Sequence, residues 1–173
     1  MLYHQRTMPL SESKMIEATL CFAVRGEPAE QVLLGRKKRG FGKGKYNGIG
    51  GKIEPGERPF ECNLREVREE VGLNLDPVSV REVGQITFRF PYHPAFDHFV
   101  HVFIATAWNG ALIETPEMAP EWFNIGEIPY ETMWQDDAHW LPRVLRGEQI
   151  RAAFSFDRDN ETLTTWEIET ANN

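Results

Sequence analysis

"GGKIEPGERPFECNLREVREEVGL", residues Gly50 to Leu73, decides how the rest of the chain is read. Four glutamates crowd between Glu61 and Glu70, with arginines among them and a glycine-rich frame in front. From Arg58 to Leu73 the pattern is helical. Pro59 falls in the first turn, where a missing N–H is harmless, and Gly72 stands at the end. At about 100° per residue, Phe60, Leu64, Val67 and Val71 form one stripe, which is a core face. Glu66, Glu69 and Glu70 lie on a different face. Like charges one turn apart repel by roughly a few tenths of a kcal/mol per pair, and a solvated helix face normally mixes signs along i,i+4. Hard divalent cations select carboxylate oxygens, and Mg²⁺ commonly combines a carboxylate or two with substrate phosphates. A metal and a polyphosphate between these glutamates would turn the repulsion into binding. The competing reading is an ordinary charged surface.

Outward from this helix, the chain has the size of one domain. It is 173 residues long, 41% hydrophobic and 26% charged, with length enough to bury a core without disulfides or a structural metal. A formal net charge of −7 argues against a nucleic-acid polymer as partner but leaves room for a small anionic ligand on a local basic patch. Cys21 and Cys62 form no CxxC pair, which suits a reducing, cytoplasmic setting. No apolar h-region and no run of 18 apolar residues is present, so neither a signal peptide nor a membrane span is expected. Residues 1–14 read as a loose extension and 15–173 as a single domain.

Residues 15–24 and 31–37 read as paired strands across the turn signal "RGEPAE". "KRGFGKGKYNGIGGK" reads as a loop entering a short strand. "SVREVGQITFRF" and "DHFVHVFIATAW" are further strands. The second places Phe99, Phe103, Ala105 and Ala107 on one face and Val100, Val102 and Ile104 on the other, as in a strand covered on both sides. "EWFNIGEIP" reads as a short strand and turn. "DDAHWLPRVLRG" reads as a second helix, with Asp136 or Asp137 as N-cap and Gly147 as C-cap. "IRAAFSF" and "ETLTTWEIE" close the chain as a hairpin. The sum is an α/β fold, an α/β/α sandwich with a mixed central sheet.

Gly51, five residues, Glu57, seven residues, then Arg65-Glu66-Val67-Arg68-Glu69-Glu70-Val71-Gly72-Leu73 resembles the Nudix box, G-x5-E-x7-R-E-U-x-E-E-x-G-U with U aliphatic. Every fixed position matches, which chance would give on the order of once in a billion starts. The resemblance implies the Nudix fold and a loop–helix–loop that holds Mg²⁺, or Mn²⁺ as substitute. It also implies hydrolysis of a nucleoside diphosphate linked to another group. It further implies that Glu66, Glu69 and Glu70 bind metal and supply a base, with Glu66 and Glu70 the candidates for the base. Gly51 would let metal and phosphate approach, and Glu57 and Arg65 would pair to orient the helix.

"VLLGRKKRGFGKGKYNGIGGKIEPGE", "GQITFRF", "HVFIAT", "EMAPEWFNIGEIPYETMWQDDAHWLP" and "FSF" together are similar to one Nudix branch, the hydrolases of oxidised purine nucleoside triphosphates such as 8-oxo-dGTP and 2-oxo-dATP. That resemblance places Asn47, Trp134, Asp136 and Asp137 at the base pocket. It sets Phe41, Thr19 and Lys37 near the nucleotide, Met118 in the wall, and Glu117 as a further acid by the metal. Gln135 departs from the branch, where a proline is usual, and so does Tyr46, where a tryptophan is usual. Chemically, an amide reads both donors and acceptors of a purine edge, an indole offers a stacking face, and adjacent aspartates need not both ionise. "GRKKRG" (35–40) is either a localisation patch or a triphosphate cradle. His98 and His101 read as packed strand residues rather than ligands. The expected activity is pyrophosphohydrolysis by a monomer. The alternatives are a Nudix hydrolase of another nucleotide and a non-catalytic nucleotide- or RNA-binding module.

Overall fold

Strand β1 (Ile16–Arg25) carries the alternation that divides the molecule. Phe22 and Val24 enter one core, Cys21 and Ala23 the other. In the computed structural model, which describes residues 14–171, there follow β2 (Gln31–Lys37), β3 (Tyr46–Asn47), α1 (Pro59–Val71), β4 (Asn74–Leu75) and β5 (Val80–Arg89). Then come β6 (His98–Ala105), β7 (Trp108–Asn109), β8 (Met118–Asn124), α2 (Asp137–Leu145), β9 (Ile150–Phe156) and β10 (Leu163–Thr170). Apart from Lys14, the extension expected over residues 1–14 lies outside the described residues. The main sheet runs β10-β9-β5-β6-β1-β2-β3, with β8 on β2. It is mixed: β1 is parallel to β6 and β5 to β9, while the remaining pairs are antiparallel. The α/β/α sandwich expected from the sequence is the architecture found.

Both faces of β6 are covered, as its apolar alternation requires. Val100, Val102 and Ile104 join Phe22, Trp140, Leu141 and Phe154 on the α2 side. Phe103 and Ala105 join Leu33, Ile49, Val67 and Val71 on the α1 side. Each such side chain contributes about 1.5–3 kcal/mol by leaving water. β8 starts three residues earlier than "EWFNIGEIP" suggests, because β2 pairs with it along its whole length from Lys37–Met118 to Gln31–Asn124. The small β4–β7 ribbon was not anticipated, since two-residue strands leave no periodicity to read.

Helix α1 is capped at Arg58, whose backbone N–H donates to Glu61 Oε2 at 3.1 Å, and ends at Gly72, whose φ of 79° favours a residue without Cβ. Its buried surface is wider than the predicted stripe and includes Cys62 and Asn63. The reason is the chain segment before it. β1 pairs with β2 only at Val24–Val32 and Arg25–Gln31. Below that point the Gly48–Lys52 segment takes over, with Cys21–Ile49 and Ala18–Lys52 bridges. That segment lies against the Cys62 flank, where Cys62 Sγ sits 3.5 Å from the Lys52 carbonyl oxygen. Helix α2 has Asp136 at the expected N-cap position, though without a side-chain cap bond, and its C-cap is Arg146 rather than Gly147 (φ 93°), which lies one residue beyond.

Candidate active site

The glutamate face of α1 is organised by one arginine. Arg65 forks onto Glu57, with Nε donating to Oε1 at 2.7 Å and Nη2 to Oε2 at 2.9 Å. Nη1 donates to Glu66 Oε1 at 2.7 Å and to Glu69 Oε2 at 3.1 Å. The fork holds the Glu57 carboxyl down to about 2. Glu70 has no such partner. Burial, with the Glu66 charge beside it, pushes Glu70 up to about 7, and its Oε2 is buried without a hydrogen bond among the described residues. Burial also raises Glu66 from its ordinary value. Gly51 lies over Glu66 so closely that a Cβ there would come within 2.5 Å of the carboxyl carbon. Gly50 is tighter still: a Cβ would meet the Thr19 carbonyl oxygen at 1.8 Å. These glycines are what allow the Gly48–Lys52 backbone to bond β1, where Thr19 N donates to Gly51 O at 2.9 Å.

From Glu70 a cavity of about 230 Å³ runs across the β1–β6 surface to the start of α2. At the far end stand Trp134, Asp136 and Asp137. Both aspartates are buried. Asp136 Oδ2 accepts from Trp140 Nε1 at 2.8 Å, and Asp137 Oδ2 accepts from the Trp134 N–H at 3.1 Å. Asp136 Oδ1 is buried and unpartnered among the described residues. Burial pushes Asp136 up to about 6, and burial plus the Asp136 charge raises Asp137 well above its ordinary value. One proton between them is the arrangement this favours, giving one donor and several acceptors at one wall. Trp134 packs against Phe41 (ring centroids 5.1 Å apart) and edge-on to Phe156 (5.9 Å), leaving a flat apolar slot.

The cavity lining includes Asn47, Trp134, Asp136, Asp137, Phe41, Thr19, Lys37, Met118, Gly51 and Glu70. Several placements differ in detail from the expectation. Thr19 is 1% exposed and its hydroxyl lies 3.5 Å from Cys62 Sγ, so it braces the floor rather than presenting a free hydroxyl. Asn47 turns its Oδ1 onto the Gly48 N–H at 2.8 Å. Glu117 is bound by Arg39, whose Nε donates to Oε1 at 2.9 Å, and this cation holds its carboxyl below the ordinary range. Within "GRKKRG" only Lys37 lines the cavity, because Lys38 is taken by Glu114 at 2.6 Å and Arg39 by Glu117. Cys21 and Cys62 are free thiols. His101 is bonded to Glu82 at 2.8 Å. Sequence reasoning missed three polar lining residues: Lys45, Lys52 and His98. For Lys45, 5.1 Å from the Trp134 ring centroid, its place in the glycine-rich loop beside Asn47 was the available signal. His98 gave none.

A family model described as the NUDIX domain matches residues 15–144. The chain belongs to the Nudix family. The mouse oxidized purine nucleoside triphosphate hydrolase is 39% identical over 139 residues, which is 80% of this chain and 86% of that protein. The zebrafish (Danio rerio) protein of the same description is 42% identical over 126 residues, 73% of this chain and 79% of that one. Among solved structures, a MutT protein from Bacillus halodurans superposes with a TM-score of 0.76 at 24% identity, covering 90% of this chain and 98% of that one. This last likeness bears on the fold alone.

The Nudix family implies a divalent metal, and the residues present fit one. The acids on α1 are hard oxygen donors, Glu70 Oε2 is an orphaned buried acceptor, and Gly51 brings bare backbone against the Glu66 carboxyl where any Cβ would clash. Among the described residues, however, no three acidic, histidine or cysteine side chains are gathered into a cage. Arg65 occupies Glu66 and Glu69 instead, so a cation held by these acids would have to displace part of that fork.

Proposed function

We propose that this Nudix hydrolase cleaves oxidised purine deoxynucleoside triphosphates to the monophosphate and pyrophosphate, removing mutagenic precursors from the nucleotide pool. The observation that carries the reading is the single cavity joining Glu70 to the Trp134–Asp136–Asp137 wall. One end suits a polyphosphate and the other a purine. The relatives of the same description, similar over most of the chain, support the same substrate class.

Glu66, Glu69 and Glu70 hold the divalent ion, Mg²⁺ with Mn²⁺ as substitute. When bound, it neutralises the polyphosphate and acidifies the attacking water. Glu70, buried, free of the Arg65 fork and with an unpartnered Oε2 among the described residues, is the acid placed to take the water's proton. Glu57 and Arg65 orient the helix. Lys37 and Lys52 add positive charge along the phosphates. Trp134 offers the base a stacking face, Phe41 packed against it helps exclude water, and Asn47 with the aspartate pair reads the base edge. The protonated aspartate donates to a keto or imino acceptor while its partner accepts, so a proton shift lets one wall serve an oxidised guanine and an oxidised adenine. Met118 packs beneath, and Glu117, if freed from Arg39, would be a further oxygen donor for the metal. The enzyme acts as a cytoplasmic monomer of one domain. No helix among the described residues is long and apolar enough to cross a membrane.

The test is kcat/KM for 8-oxo-dGTP, 2-oxo-dATP, O6-methyl-dGTP and dGTP with Mg²⁺ and with Mn²⁺. A preference for the oxidised purines over dGTP is expected. Equal turnover of all four would retain Nudix chemistry and remove the pool-cleansing role.

A further inference from the structure

His98 is a half-buried imidazole on the cavity wall that the mechanism above does not use. Its Nδ1 lies against the carbonyl oxygen of Phe96. A carbonyl can only accept, so Nδ1 carries the proton. Burial, with Lys52 and Lys37 close by, lowers the pKa of His98 and keeps the ring neutral. Nε2 is therefore a bare acceptor, and no donor reaches it among the described residues. Its ligand must bring a hydrogen-bond donor. Phosphate oxygens bring none. Purine amines do, but the base is met by the wall of Trp134 and the aspartates at the start of α2.

The sheet register places His98 between those ends. On β5 its partner is Phe88, a wall of the aromatic end. On β1 its partner is Ile16, two residues from Ala18, which bridges to Lys52 at the glutamate end. In the substrate reading above, a nucleotide with its phosphates by Glu70 and its base by Trp134 would bring its sugar past this position.

We propose that His98 Nε2 accepts a hydrogen bond from a hydroxyl of the substrate's sugar, which makes His98 a specificity-determining residue for nucleotides carrying that hydroxyl. The proposal rests on the substrate reading above. A neutral hydrogen bond of this kind is worth about 3–10-fold in binding.

The experiment compares kcat/KM for 8-oxo-dGTP and its 2′,3′-dideoxy counterpart in the wild type, His98→Leu and His98→Gln. The wild type is expected to prefer the hydroxyl-bearing substrate by about 3–10-fold. His98→Leu should abolish that preference, and His98→Gln, which keeps an acceptor, should restore part of it. An unchanged ratio in His98→Leu, or an equal loss on both substrates, overturns the assignment. If the wild type does not turn over 8-oxo-dGTP, the substrate reading fails on its own. The same ratio, taken as Kd by calorimetry for dGMP against 2′,3′-dideoxyGMP in wild type and His98→Leu, then decides on His98: a preference lost in the variant supports it, and one that is absent or retained overturns it.

Discussion

Two carboxylate clusters meet one cavity, the α1 cluster through Glu70 alone and the α2 pair through both aspartates, and they are held in opposite ways. On α1, Arg65 ties Glu57, Glu66 and Glu69 together, and Glu57 is driven down to about 2. At α2, Asp136 and Asp137 have no ion-pair partner among the described residues, only the Trp140 and Trp134 N–H groups and the distant charge of Lys45. In the first cluster a built-in guanidinium faces three of the acids and keeps Glu57 charged. The second sheds one charge, as a wall that must both donate and accept requires. Glu70 belongs to the first by position and resembles the second in environment, being buried, unforked and raised. The same side-chain chemistry is thus set to different tasks by whether a cation is built in beside it.

That contrast can be broken at each end. The largest effect is expected for Glu70→Gln. It should lower kcat by about 10²–10⁴-fold, measured as pyrophosphate release, while thermal unfolding shows no loss of stability, because a neutral amide replaces a costly buried acid.

Next comes Asp137→Asn, which fixes the donor and removes the shared proton. It should change the ratio of kcat/KM between 8-oxo-dGTP and 2-oxo-dATP by about 10-fold or more, and an unchanged ratio would refute the proton-sharing account. Its stability should move the other way. Asp136 titrates near 6 when folded against an ordinary 3.8, so the folded state binds the extra proton. Stability contributed by the pair is complete below about pH 4 and lost as pH rises toward 6 and beyond. Asp137→Asn should flatten that decline and raise Tm at pH 8 by roughly 2–4 °C.

Arg65→Lys sharpens the comparison from the other side. Lysine keeps the charge but not the fork, so Tm should fall by roughly 2–6 °C together with kcat. Glu57 has the opposite linkage to the aspartates: its contribution is present above 4.5 and lost as pH falls toward about 2. The Arg65→Lys penalty should therefore shrink in acid.

The smallest effect is expected for Lys45→Gln, which removes the cation beside Trp134 and its 3.8 Å contact with Glu161. KM should rise by about 2–5-fold with kcat little changed.

The sequence alone determined what depends on local spacing. The apolar stripe of α1, its Pro59 and Gly72 boundaries, the box residues and the two-sided alternation of β6 all follow from periods of 3.6 and 2, which neighbours along the chain suffice to reveal. Trp134, Asp136 and Asp137 were legible through the resemblance to one Nudix branch, since local spacing alone offered only a helix N-cap. What only the tertiary structure decided is partnership across distance. Arg39 takes Glu117 and Lys38 takes Glu114, which removes two cations from the basic run. Lys45, Lys52 and His98 arrive at one cavity from different segments because β6 lies between β5 and β1 and the Gly48–Lys52 segment replaces β2 beside β1. Ion pairing and burial depend on which strands are neighbours, and sheet order is a property of the whole chain's packing rather than of any window of it.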